Sequence, residues 1–201
     1  MGIPVLVLGR SGAGKSRSIK NLDCGVVKVI EKELPFRNNL KTVTTSDYGK
    51  ISQILLASKK NSIVIDDAGY LLTDEFMRRA TEKGYDKFTE LANNFYNLIQ
   101  FITLQLPRER IVYLFMHEDE NDITGAVKPK TIGKLLDEKV CVEGLFTIVL
   151  RCIDHQFYTN NSGCAKSPEE MFDTEVIEND LALVDQKIRE YYNLKGEQNN
   201  D

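Results

Sequence analysis

Gly9-Arg10-Ser11-Gly12-Ala13-Gly14-Lys15-Ser16 fits the pattern G-x-x-x-x-G-K-[ST] at every position. In that pattern a glycine-rich loop follows a buried strand and cradles phosphate with backbone N–H groups. Residues 3–8 supply the strand, a short apolar run with Pro4 near its start. A helix is expected over 16–22. Gly9, Gly12 and Gly14 let the backbone curl so that successive N–H groups point at one anion. The helix N-terminus adds partial positive charge. Lys15 reaches the outer phosphates and the Ser16 hydroxyl ligates Mg²⁺. The expected nucleotide-binding set is Gly9, Arg10, Ser11, Gly12, Ala13, Gly14, Lys15, Ser16 and Arg17.

Outward from this loop the chain alternates strands and helices. Strands are expected over 25–30, 62–65, 111–116, 140–142 and 146–150. Asp47 or Ser46 caps a helix reaching about residue 58, with Ile51, Ile54 and Leu55 on one face. Phe88, Leu91, Ala92, Phe95, Leu98, Ile99, Ile102 and Leu106 recur at helical spacing, and Pro107 ends that helix. A last helix is expected over 180–193. This alternation predicts an α/β fold, a three-layer P-loop arrangement with a mostly parallel central sheet. The length of 201 residues predicts a core domain over 1–166, followed by an acidic helical tail over 167–201. Residues 167–201 carry a net charge of −7, whereas the preceding 166 carry +3. A mildly basic core with an acidic tail suits a nucleotide or nucleic-acid binder whose tail competes with the ligand; a solvated helix gives the same balance.

Ser62-Ile63-Val64-Ile65-Asp66-Asp67 is an apolar strand ending in acids, the Walker B pattern. It sets a carboxylate at the strand's C-terminal edge, where Asp66 holds Mg²⁺ through water. Two residues compete to activate the attacking water: Asp67, directly after the magnesium acid, and Glu31, just past the second strand with Glu33 close by. His117 ends the apolar run 111–116 and is placed to hydrogen-bond near a terminal phosphate. The catalytic candidates are thus Lys15, Asp67, Glu31 and His117, with Ser16 and Asp66 as metal ligands. The polar stretch 118–134 is long for a connection. Its Lys128, Lys130 and Lys134 are candidates for contact with a DNA backbone or a neighbouring subunit, and Arg78 and Arg79 form a second basic spot.

Other features narrow the field. No apolar run is long enough to span a membrane, and the phosphate loop starts too early to leave room for a leader, so a cytoplasmic protein is expected. Cys24, Cys141, Cys152 and Cys164 have no C-x-x-C spacing and read as isolated reduced thiols.

The loop at the N-terminus, the acids near Asp66, the strand ending at His117 and Pro129-Lys130-Thr131-Ile132-Gly133-Lys134 together resemble compact phage ATPases with a RecA-like core. The chain is most similar to the Sak-type single-strand annealing or recombination ATPases, over most of residues 1–155. The resemblance implies ATP and Mg²⁺ as ligands and ATP-dependent action on single-stranded DNA. It also implies rings or filaments of subunits, beside a single-strand-binding protein, in the cytoplasm of a bacterial host. The chain departs from such proteins in lacking an evident DNA-binding domain and a basic stretch interleaved with aromatics. Two other functions share the loop: a small-molecule kinase, disfavoured by the few arginines between Arg110 and Arg151, and a nucleotide-dependent switch or adaptor without strong turnover.

Overall fold

Val5, Leu6, Val7 and Leu8 have no exposed surface, and neither does any side chain from Ile111 to Met116. Strands so apolar on both faces belong in the middle of a sheet covered on both sides. The computed structural model describes residues 1–121, 123–132 and 140–194 and places them there. In chain order the strands are β1 (Ile3–Leu8), β2 (Gly25–Lys28), β3 (Thr42–Thr44), β4 (Ser62–Asp66), β5 (Ile111–Met116), β6 (Glu118–Glu120), β7 (Val127–Pro129), β8 (Ile148–Ile153), β9 (Gln156–Tyr158) and β10 (Val176–Glu178). The helices are α1 (Tyr48–Ala57), α2 (Tyr70–Arg78), α3 (Asp86–Gln105) and α4 (Leu181–Tyr192), with short 3₁₀ helices at Ser16–Asn21 and Glu143–Leu145.

Eight strands form one sheet in the order β10-β9-β8-β1-β5-β4-β2-β3. All neighbours from β8 to β3 are parallel, and β9 and β10 extend the β8 edge antiparallel. β6 and β7 pair separately as an antiparallel hairpin. Side chains alternate along each strand, so the sheet faces two cores. On one face Leu6, Ile63, Ile65 and Leu114 meet Ile51 and Leu55 of α1, Leu71 and Leu72 of α2, and Leu91, Phe95, Ile99 and Ile102 of α3. On the other, Val5, Val7, Val64, Tyr113 and Phe115 meet Ile19 and Leu22 after the first loop and Val184 and Ile188 of α4. Each fully buried side chain of this size stabilises the fold by about 1.5–3 kcal/mol. The fold is therefore α/β, with a large, mostly parallel sheet and helices on both faces.

Several expectations need correction. The helix after the first loop is a single 3₁₀ segment of six residues, because the chain must enter β2 by Gly25, paired with Ile63 of β4. Residues 140–142 are not a strand: Val142 leads into the second 3₁₀ helix with its side chain in the core, and the following strand begins at Ile148. A short apolar run does not by itself distinguish strand from buried turn. The stretch 118–134 contains the β6–β7 hairpin, closed by the Asn121 N–H on the Ala126 carbonyl at 2.9 Å. Within 167–194, β10 completes the sheet edge, and Leu181, Val184 and Ile188 of the helix expected there have no exposed surface.

Candidate functional site

β1 delivers the 9–16 loop to the C-terminal edge of the sheet, and close packing selects Gly9 and Gly14. A Cβ on Gly9 would stand 2.6 Å from the Cys152 carbonyl oxygen. Gly14 has φ +113°, and a Cβ there would stand 2.6 Å from His155 Nδ1. The loop curls around its own lysine: Lys15 Nζ donates to the Gly9 carbonyl at 2.6 Å and the Arg10 carbonyl at 2.9 Å. Burial lowers the Lys15 pKa, against the charges of Asp67 and Asp66. The loop's outer carbonyls are held from far along the chain. Ala13 O accepts from the His155 N–H at 3.0 Å and Cys152 Sγ at 3.1 Å, and Gly14 O accepts from Asn179 Nδ2 at 3.1 Å. Burial pushes the Cys152 thiol up to about 12, so it stays a donor. Sequence reasoning missed these three partners, which carry no local motif.

The acids arrive on β4. Ser16 Oγ donates to Asp66 Oδ1 at 2.9 Å and is 3.1 Å from Oδ2. Burial, and then the neighbouring Asp67 charge, raise the Asp66 pKa. A hydroxyl beside a buried carboxylate of raised pKa is an oxygen-only donor set that a hard divalent cation would relieve, so the residues present fit Mg²⁺. Asp67 adopts φ +59°, a sparsely populated conformation for a residue with a side chain, and its carboxylate is 5 % exposed. It forms an ion pair with Lys32. Burial works against the Lys32 charge, but its bond to Asp67 and the charges of both acids more than offset this and raise its pKa. β5 lies between β1 and β4, so its end brings His117 to the same place, with Nε2 3.7 Å from Asp67 Oδ1. Burial, then the Lys15 charge, lower the His117 pKa, which keeps the imidazole neutral at pH 7.

These groups share one cleft of about 320 Å³. Ser11, Gly12, Gly14, Lys15, Ser16, Arg17, Asp67 and His117 line it, together with Lys32, Glu33 and His155. Asp66 joins through Ser16. Other expected residues stand elsewhere. Arg10 turns away, 2.9 Å from Glu120 and 3.7 Å from Glu118, and Arg151 binds the same two acids beside a second cleft of about 490 Å³. Glu31 is not in the cleft lining: its carboxylate lies 2.5 Å from Lys28 Nζ, a bond that holds its pKa down. Lys128 lies on β7 opposite Asp119. Lys130 is exposed, and its N–H donates to the His117 carbonyl at 2.8 Å. Lys134 lies outside the described residues. Arg78 pairs with Asp74, and Arg79 with Glu75, Glu82 and Glu90.

No protein-family model matches this chain, and no curated protein matches it significantly. Among the described residues, no helix is long and apolar enough to cross a membrane. The arrangement itself offers curled backbone N–H groups, two lysines, a hydroxyl–carboxylate pair and a second carboxylate around one cleft. That chemistry suits a polyphosphate carrying a divalent cation.

Proposed function

We propose that the chain is a P-loop ATPase with a RecA-like core, which binds ATP with Mg²⁺ in the 320 Å³ cleft and hydrolyses it while acting on single-stranded DNA. The observation that carries this reading is the Ser16–Asp66 bond, which joins the two sequence motifs across 50 residues. The loop N–H groups and Lys15 bind the phosphates, and Ser16 and, through water, Asp66 hold the cation. A Mg²⁺ ion held by these residues would supply positive charge for the phosphate oxygens. Asp67 orients a water whose oxygen attacks the terminal phosphorus. The bond to the bridging oxygen breaks, ADP leaves, and the water's proton passes to Asp67. Positioning and fixed charge supply most of the rate.

The DNA part of the reading draws on the β6–β7 hairpin, which begins at Glu118 directly after His117. The Lys130–His117 backbone bond ties its far end to the same point. A change at His117 therefore reaches Lys128 and Lys130 through two short connections. Assembly into rings or filaments, with a single-strand-binding protein nearby, belongs to the same proposal. A nucleotide-dependent switch with slow turnover is the second reading, supported by the Lys32–Asp67 ion pair that engages the carboxylate proposed as base. The test is ATP hydrolysis with and without single-stranded DNA, beside Lys15→Ala. DNA-stimulated hydrolysis lost in the variant supports the ATPase. Tight ATP binding without turnover supports the switch, and no ATP binding contradicts both.

A further inference from the structure

Lys32 belongs to neither motif, yet it is the second lysine of the cleft. It lies in the loop after β2, and β2 is the direct neighbour of β4, so its ammonium reaches the Asp67 carboxylate. The two partners are unequal. The Lys32 side chain is 44 % exposed and comes from a loop, whereas that of Asp67 is 5 % exposed and fixed at a strand end with φ +59°. A lysine is a compact charge on a flexible four-carbon stem that exchanges readily between acceptors. The buried carboxylate has no such freedom.

Lys32 pairs with Asp67, and the adjoining Asp66 accepts from Ser16, so these four groups form one connected cluster beside Lys15. Lys15 of the motif would serve the outer phosphates, and the Ser16–Asp66 pair would hold a divalent cation beside them. Lys32 therefore stands beside the groups that would meet the terminal phosphate of a bound nucleotide.

We propose that Lys32 is a second phosphate-binding cation of this cleft, exchanging from the Asp67 carboxylate onto the terminal phosphate of a bound nucleoside triphosphate. The inference rests on the cleft being a nucleotide site. The exchange does two things. It adds a charge-assisted bond that only a triphosphate accepts, which makes Lys32 a determinant of selectivity against the diphosphate. It also uncovers Asp67, so that a water can hydrogen-bond to that carboxylate only when the terminal phosphate is present.

The test is equilibrium binding of Mg²⁺–ADP and of a non-hydrolysable Mg²⁺–ATP analogue to the wild type, Lys32→Met and Lys32→Arg. Loss of one charge-assisted hydrogen bond predicts about a tenfold or greater loss of triphosphate affinity in Lys32→Met. Diphosphate affinity is expected to stay within about twofold, and Lys32→Arg to recover most of the loss. Unchanged ADP binding also reports that the Met variant is folded. If the wild type binds both nucleotides and Lys32→Met loses neither, or both alike, the inference is overturned and the nucleotide site stands. If the wild type binds neither, the nucleotide site itself is overturned and the inference with it.

Discussion

β4 and β5 carry a buried charged network at each end, and the two are built differently. At the N-terminal end Asp185 of α4 accepts from Ser62 Oγ at 2.6 Å and from Tyr113 OH at 2.8 Å, while Arg189 Nε donates to its other oxygen at 2.6 Å. The same guanidinium reaches Ser62 Oγ at 2.8 Å and the Glu109 carbonyl at 3.1 Å. Burial, and then Asp185, push the Tyr113 pKa well up, so the phenol stays a donor. These groups complete one another and tie α4 to the sheet. At the C-terminal end Asp66, Asp67, Lys32 and His117 gather around a cleft. There the backbone is strained at Asp67, the Asp66 pKa is raised, and Lys15 is held by backbone carbonyls. A polar network that closes on itself stabilises a fold. One that keeps strain and shifted pKa values beside a cleft is arranged for a ligand.

Four variants test that contrast. Lys15→Ala is expected to lower ATP turnover by about 10²–10³-fold, the scale of losing a fixed charge-stabilising donor, with the melting temperature nearly unchanged. Asp185→Ala should do the reverse. It strands Arg189 and two hydroxyls, costs about 3 kcal/mol in denaturant unfolding, and leaves nucleotide affinity of the folded protein intact. Gly14→Ala places a Cβ against His155 at φ +113° and is expected to cost about 1–2 kcal/mol and weaken nucleotide binding together. If it lost stability with full affinity, the loop would be a structural turn only.

The smallest effect concerns pH. Burial and the Lys15 charge keep the folded His117 pKa below its ordinary 6.5, so the unfolded chain takes up a proton first on acidification. Stability therefore falls as pH drops through 6.5. His117→Gln is expected to flatten that part of the decline, read as melting temperature at pH 7.5 and pH 6. An unchanged slope would remove His117 as its source.

What the sequence made legible was what is local. The glycine-rich loop, β1, β4, β5, α1, α3 and α4 each announce themselves by a motif, a cap or a period, and they fall where expected within a few residues. The edges were harder. β3, β9 and β10 have three residues each and carry no period. α2 starts at Gly69 without a capping side chain, so nothing marks its beginning. In the cleft, Lys15, Ser16, Asp67 and His117 could be named in advance because each sits in or beside a motif. Lys32, His155 and Asn179 could not. Their roles come from contacts spanning 35 residues for Lys32 and Asp67 and 165 for Asn179 and Gly14, set by strand order and the β8–β9 turn. Glu31 shows the converse: its sequence position was apt, but Lys28 engages its carboxylate outside the cleft lining.

The most direct test of the nucleotide site is calorimetric titration of ATP into the wild type and Lys15→Ala, each with and without Mg²⁺. The account predicts one-to-one binding by the wild type, strengthened by Mg²⁺ and lost in the variant. Equal binding by both proteins, or none by the folded wild type, would contradict it.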